Sequence, residues 1–507
     1  MKLSRFLPII FCLVLCACHD RVPNSNLQLS MDYYQQLHNP SYAINSQVIR
    51  GLMDSLMRND SDRNSSDLRT RNYYGNEGGF IWIDRHGVDQ RADTLVKFLQ
   101  KVTDMGFSQR LFYVRAIERD LRRLRALDLD SGSYQINHVM ARLEYRLTKS
   151  YLRYVVGQRF GFVNPTYVFN RLDSIDPSPY DTVKHAVKYR GLYDVKIDHV
   201  DNHFYALALR MAKSDSLGKF LYDVQPTDPF YYQLERRLAQ DKLGKAERAM
   251  ILCNMERCRW RQADAPRLHK KYVVVNIPSF HLMGIDHEDT LTMRIGCGSF
   301  KTKTPLLSSR IKRMELNPRW TIPHSILVKD IVRHVGNPSY FYSHNYFAIE
   351  RATGKEIDPR HLTRQMLLSG AYGVAQRGGK GNALGRIIFR FDNNFSVFLH
   401  DTSSRGVFSR EDRGVSHGCV RIEKPYDFAV FLLKDKDELT MEKIKYSMTA
   451  DSLENRKMVI GALKVNPQIP LFITYYTMYP MAGGRIEMYP DVYGYDGVIY
   501  NLLRKYI

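Results

Sequence analysis

Residues 413–425 read RGVSHGCVRIEKP, and residues 395–402 read FSVFLHDT. The first stretch sets Cys419 among Gly414, Ser416, His417, Gly418 and Arg421. The second closes an apolar run with His400. FSVFLHD (395–401) reads as a strand, and PYDFAVFLLKDK (425–436) reads as a helix with Pro425 in its first turn. Cys419 therefore falls in a turn between strand-like and helical sequence. Working outward, KYVVVNIPSFHLMGI (271–285) opens on a β-branched run and then alternates, so it reads as strand. TLTMRIGCGSF (290–300), GRIIFRF (385–391) and PLFITYYTMYP (470–480) add further strands. KAERAMILCNMERCRW (245–260) reads as the helix that leads into them. Residues 246–507 are thus a mainly-β, α+β domain.

The texture upstream is different. Leu95, Phe98, Leu99 and Val102 recur at helical spacing, and Gly106 follows as a stop. Ile117, Leu121 and Leu124 repeat the pattern, as do Ile136, Met140, Leu143 and Leu147. Arg122, Arg123 and Arg125 fill the other faces and read as a solvated surface. Residues 76–245 read as a helical domain with no visible chemistry. Residues 19–75, with RNDSDRNSSDLRTRN at 58–72, read as a tether and irregular connector. There is no internal repeat and no low-complexity tract.

The N-terminus MKLSRFLPIIFCLVLCACHD has basic Lys2 and Arg5, an apolar run over 7–15 and then small residues. It is a secretory signal, too short to span a bilayer. Its Leu15-Cys16-Ala17-Cys18 end resembles a bacterial lipoprotein signal. Cleavage after residue 18's predecessor would leave Cys18 as the lipidated first residue. The expected location is the periplasmic side of a Gram-negative-type envelope, tethered to a membrane by lipid. The chain of 507 residues carries 74 basic and 53 acidic side chains, a net charge of +21. That excess favours an acidic partner. The basic residues are scattered and form no nucleic-acid motif, so nucleic acid is set aside. Four of the seven cysteines lie beyond the signal: Cys253, Cys258, Cys297 and Cys419. That is no disulfide scaffold, and the CNMERC spacing is no zinc ribbon.

A thiol attacks well as thiolate, and an imidazole can take its proton. His400 and Cys419 are 19 residues apart, which suits a strand end, a crossing loop and a return. Gly414 and Gly418 permit sharp turns near the sulfur. The N–H groups of His417, Gly418 and Cys419 are placed to form an oxyanion hole. A packing role for Cys419 stays open on these residues alone.

HDTSSRGVFSREDRGVSHGCVRIEKP (400–425) resembles the signature of the L,D-transpeptidases, the YkuD-type catalytic domain, with Ser416, His417, Gly418, Cys419 and Arg421 matching. NMERCRW, VVVNIPSFHL, KTPLLSS, LNPRWTIPHSI, NALGRIIFRF and DVYGYDG resemble segments of the large YcbB-like subgroup, over about 250–500. GFIWIDRHG and DPFYYQLERRLAQ resemble that subgroup's scaffold domain more loosely. The resemblance implies an α-helical scaffold followed by a catalytic domain with a lid-like insertion around 324–385. It implies peptidoglycan stem peptides as substrate, Cys419 as nucleophile, His400 as general base and acid, and the Asp401 backbone carbonyl as the group that orients His400. Ser416, His417, Gly418 and Arg421 become oxyanion and substrate contacts. Gln376, Asn382, Asn317, Trp320 and Phe398 become lid or support positions. The implied reaction is a 3→3 cross-link made through a thioester on tetrapeptide stems, with no cofactor and no metal.

Three departures stand out. AQRGGKGNALG (375–385) is richer in glycine than the family's usual lid run, so a more mobile lid is expected. Phe398 stands where the family commonly has tyrosine. No peptidoglycan-binding repeat is visible between the two parts, so docking falls to the scaffold, the lid or cell-wall synthesis partners. The rivals are a carboxypeptidase or endopeptidase of the same fold and a non-catalytic wall-binding scaffold. A metal site of His400, His417 and Cys419 is disfavoured because no further ligand pattern surrounds them.

Overall fold

The computed structural model describes residues 43–507 except 85–86, 127, 130–131, 176–186, 434–436, 450–454 and 482–484. Cys18, the signal and most of the tether lie outside the described residues. The chain divides into two bodies. The first takes residues up to Thr103, Phe107–Val156 and Asp201–Gln225; the second takes Asp104–Gly106, Gly157–Val200 and Pro226–Ile507.

The first body is helical. Its elements are α1 (Ser46–Arg58), α2 (Ser65–Gly75), α3 (Arg91–Gln100), α4 (Val114–Ala126), α5 (Ile136–Phe160, whose last turn from Gly157 is counted with the second body), α6 (Asn202–Ala212) and α7 (Leu217–Asp223). Leu95, Leu99, Ile117, Leu121, Met140, Leu143 and Leu147 are buried. The helical part starts earlier than the sequence reading of a connector to residue 75. Two causes act. Ile49 and Met53 form a buried i,i+4 pair in α1, which Asn45 caps through the N–H groups of Gln47 and Val48. The charges of the polar run are paired rather than solvated: Lys149 reaches Asp60 at 2.6 Å and Asp62 at 2.8 Å, and Arg153 reaches Asp67 at 2.8 Å. Buried Glu144 accepts N–H groups from Ile81, Trp82 and Ile83 and so anchors the GFIWI segment.

The second body begins before residue 246, and it also takes residues 157–200. Helices α8 (Pro229–Leu238) and α9 (Lys245–Arg259) pack together, with Arg259 of α9 donating to the hydroxyl of Tyr231 in α8 at 3.0 Å. Trp260 packs edge-on to Phe169 and Tyr193. These contacts tie residues 157–200 and 226–245 to the second body's own elements.

Its sheet is built from β1 (Lys271–Asn276), β2 (His281–Asp286), β3 (Asp289–Gly298) and β4 (Leu306–Leu316). An insertion follows with β5 (Trp320–Thr321), β6 (Tyr346–Glu350), β7 (Glu356–Ile357) and β8 (Tyr372–Gln376). The chain returns through β9 (Ile387–Phe391), β10 (Leu399–His400), β11 (Gly414–Ser416), β12 (Val420–Ile422), α10 (Pro425–Leu432), α11 (Glu438–Thr449), β13 (Ala462–Thr474), β14 (Met478–Pro480), β15 (Ile486–Met488) and α12 (Tyr495–Leu503). The order in the large sheet is β9-β10-β12-β3-β2-β1-β13-β4, with the two-residue strand Tyr193–Asp194 parallel to β4 at its edge and β11 beside β3 off this path; β9 also pairs with β4, which curls the sheet on itself like a barrel. The segment 271–285 is two strands joined at 277–280 rather than one.

FSVFLHD contributes only Leu399–His400 as strand. Asn393 is the reason: its side-chain oxygen takes the N–H groups of Phe395 and Val397, and Ser396 sits at φ +54°. The insertion has its own four-stranded sheet, order β5-β8-β6-β7, and its own core of Ile322, Leu327, Phe341, Leu362, Leu367 and Val374. That sheet runs from Trp320 to Gln376, somewhat upstream of the expected 324–385.

Candidate active site

The site follows from one parallel pairing. β10 and β12 pair with Leu399 opposite Val420 and His400 opposite Arg421, and the Val420 N–H donates to the Phe398 carbonyl at 3.0 Å. Alternate residues of a strand share a face. Phe398, His400, Cys419 and Arg421 therefore line one face of this pair. The Phe398 ring lies 6.1 Å from that of His400, and the Arg390 guanidinium stands 4.9 Å over it.

His400 is buried, and its Nδ1 hydrogen-bonds the Asp401 carbonyl. A carbonyl only accepts, so Nδ1 carries the proton and Nε2 is left as a base. Asp401 is itself held: its N–H donates to Ile387 O at 2.9 Å, and its carboxylate accepts the Arg386 N–H at 2.9 Å. Gly385 makes room for this. Its φ is +66°, and a Cβ there would come within 2.4 Å of the Asp401 carboxyl group. Burial pushes the His400 imidazole down to about 4, and the nearby Arg421 adds to the effect against the pull of the Asp401 carbonyl. Burial also pushes the Cys419 thiol up to about 11, with a backbone hydrogen bond from Phe398 and the charges of Arg421 and Arg390 opposing it. The resting pair is thus neutral thiol and neutral imidazole.

The turn that carries Cys419 is braced from several sides. Ser416 Oγ donates to the Cys419 carbonyl at 2.6 Å and accepts the Gly418 N–H at 3.0 Å. This corrects the expected oxyanion hole, because the Gly418 N–H is already used within the turn and Ser416 acts as a clamp. The N–H groups of His417 and Cys419 carry no hydrogen bond among the described residues. Gly418 sits at φ +123°, a conformation that favours glycine. The exposed His417 ring points its Nε2 toward Asp330 of the insertion, 3.7 Å away. The Arg421 Nε is buried without a hydrogen-bond partner, and the guanidinium meets no carboxylate among the described residues.

The remaining expected residues lie elsewhere. Gln376 bonds the carbonyls of His344 and Gly381 and accepts the Ala383 N–H. Asn382 bonds the carbonyls of Pro318 and Arg377 and accepts the Leu384 N–H. Asn317 donates to Ser447 O and accepts from Arg386. These three staple the base of the insertion, and Trp320 packs against the insertion's core. Cys253, Cys258 and Cys297 are buried, and burial pushes all three thiols up. Cys419 alone among the described cysteines is partly exposed. Among the described residues no group of three His, Cys, Asp or Glu side chains could hold a metal ion.

Residues 270–440 match the L,D-transpeptidase catalytic domain of the YkuD family, and residues 68–238 match the scaffold domain. Residues 270–440 are thus an L,D-transpeptidase catalytic domain, and a scaffold domain precedes it in the sequence. The chain is 30% identical over 250 residues to a candidate L,D-transpeptidase of Haemophilus influenzae. That match covers 46% of this chain and 48% of the other, so the chain spans about half the length of this curated relative. An L,D-transpeptidase structure from Mycobacterium smegmatis aligns at 14% identity and a TM-score of 0.19, over 40% of this chain and 58% of that one. A likeness so slight says nothing further about the fold.

The transpeptidase domain also uses residues to which the sequence reading gave no role. Thr304 Oγ1 donates to Gly418 O at 2.8 Å, and Thr302 Oγ1 donates to Ser416 O at 2.7 Å. The Tyr493 hydroxyl donates to Gly298 O at 2.7 Å and accepts the Thr304 N–H at 3.1 Å. Buried Arg413 donates to the carbonyls of Ile295, Arg410 and Phe280. KTPLLSS and DVYGYDG were visible as family-like segments, but nothing in a linear sequence says that they meet behind the same turn.

Proposed function

We propose that this protein is a peptidoglycan L,D-transpeptidase that forms 3→3 cross-links through a thioester on Cys419. The observation that carries the reading is the β10–β12 register, which puts His400, Cys419 and Arg421 on one face. The Cys419 sulfur attacks the carbonyl carbon of the third stem residue while its proton passes to His400 Nε2. The oxygen that becomes anionic faces the N–H groups of Cys419 and His417. Collapse breaks the amide bond. The departing D-Ala amine takes the proton from His400 and leaves the thioester. An amine of a second stem then attacks, yields a proton to His400 and forms the new amide, and the proton returns to the sulfur. Neutral resting groups suit this order, because the proton moves as the bond forms rather than beforehand.

Arg421 is a charge with a spare donor, suited to an acidic stem carboxylate. Arg386, Arg405 and Lys424 line a cleft of about 570 Å³ beside Asp401 and add further positive charge on that side. The insertion, tied to His417 through Asp330, is the segment that would close over a bound stem. The signal-like N-terminus supports export and a lipid anchor on Cys18. No described helix is long and apolar enough to cross a membrane. Radiolabelled fatty acid should enter the wild-type protein and not a Cys18→Ser variant.

The thioester is tested by intact mass after mixing with a tetrapeptide stem. The account expects an adduct of the stem less its terminal D-Ala, removable by hydroxylamine and absent from Cys419→Ala. An adduct on another residue would contradict it.

A further inference from the structure

The charges that bear on Cys419 and His400 are positive: Arg421 and Arg390 act on the thiol, and Arg421 acts on the imidazole. The carboxylates closest to them in sequence are turned to other partners. Asp401 takes the Arg386 N–H and meets Arg405, Asp412 takes the Gly414 N–H, and Glu423 binds Arg294. Asp330 of the insertion differs. Its Oδ2 stands 3.7 Å from His417 Nε2, longer than a hydrogen bond, and the side chain is 41% exposed. The backbone that carries it is irregular. A helical turn at His324–Ile326 widens into a π turn at Leu327–Ile331 and tightens into a 3-10 turn at Val332–His334. Such π turns recur where a side chain is put to use. Leu327 and Ile331 are buried in the insertion's core, which leaves Asp330 at the surface between them.

His417 precedes Cys419 by two residues, so their Cα atoms are at most about 7 Å apart. An approach to Cys419 past the exposed His417 ring therefore runs by the Asp330 carboxylate. The second half of the proposed reaction needs an alkyl amine there, and near neutral pH such an amine arrives as an ammonium. Arg421 and Arg390 repel that charge, whereas Asp330 attracts it. The three protons of the ammonium are accounted for. One goes to water beside the exposed carboxylate before attack. The freed electron pair then makes the C–N bond as the C–S bond breaks, a second proton passes through His400 to the sulfur, and the third stays on the new amide.

We propose that Asp330 selects the acceptor, its carboxylate drawing the ammonium of the second stem to the Cys419 thioester. The inference rests on the transpeptidase reading of the site. A carboxylate that only clasped the insertion to His417 would affect every nucleophile alike, and this difference is the test. The full chain turns over a tetrapeptide donor in a mixture of hydroxylamine, largely neutral near pH 7.5, and a tripeptide stem with a free side-chain amine. Mass spectrometry counts cross-link against hydroxamate. Asp330→Asn should lower that ratio at least about tenfold, the scale of a hydrogen bond between charged groups, and should do so through the KM of the stem amine. Asp330→Glu, which keeps the charge, should hold the ratio within about threefold of wild type. An unchanged ratio in Asp330→Asn, whatever the total turnover, would overturn the proposal, as would a ratio lost equally in Asp330→Glu. Wild-type protein that makes hydroxamate and no cross-link would instead strike the transpeptidase reading itself.

Discussion

The state of two side chains decides how the chemistry runs. Cys419 is held as a thiol and His400 as a neutral imidazole, both chiefly by burial. Below a thiol value of about 11, each unit of pH exposes about ten times more thiolate. Alkylation of Cys419 by iodoacetamide should therefore climb without a plateau from pH 6 through pH 9. A plateau below pH 7 would mean a preformed thiolate–imidazolium pair and would contradict this description. His400→Ala should slow acylation by about 10²-fold, the usual scale for losing a general base, and stopped-flow fluorescence with a carbapenem would read it. In the sequence, the strand end at His400, the turn and the 19-residue gap offered the pair and left a packing role for Cys419 open; the roles came from the resemblance to the L,D-transpeptidase signature. The use of the Gly418 N–H by Ser416 was not legible, since that bond depends on the local path of the turn.

Elements support the turn from behind. The Tyr493 hydroxyl joins Gly298 to Thr304, and Thr304 in turn holds Gly418. Tyr493→Phe leaves a buried carbonyl and N–H unsatisfied, at a cost of roughly 1–3 kcal/mol. Urea denaturation should show that loss, and acylation should slow although Cys419 and His400 are untouched. Unchanged stability would mean that the hydroxyl is dispensable. The insertion is a second element with its own core, centred on the fully buried Phe341. Phe341→Ala should cost about 3–5 kcal/mol there. Hydrogen exchange should then rise across Trp320–Gln376 while β1–β3 stay protected. Equal loss in both would show that the insertion does not fold as its own unit. The sequence reading put this insertion at 324–385, whereas its sheet runs from Trp320 to Gln376; the two-residue β5 has no periodicity to mark the near edge. The same reading treated the polar run at 58–72 as connector, because ion pairs with Lys149 and Arg153, about 90 positions away, leave no local trace.

For the molecule as a whole, the order of a helical part before a β-rich part was legible from the change of hydrophobic period near residue 246. The assignment of residues 157–200 to the second body was not, since it rests on long-range contacts such as Trp260 with Phe169 and Tyr193. The net charge of +21 belongs to this scale too. If it holds the enzyme near anionic wall polymer, raising salt from about 0.05 to about 0.5 M should lower turnover on sacculi and spare turnover on small stem peptides. Equal effects on both substrates would remove that role. The central claim is that Cys419 joins two stems. Protein lacking residues 1–18 is incubated with a disaccharide tetrapeptide beside its Cys419→Ala variant, and the products are read by mass spectrometry. The account predicts dimers linked 3→3 that disappear in the variant; tripeptide without dimers, or dimers that persist in the variant, would contradict it.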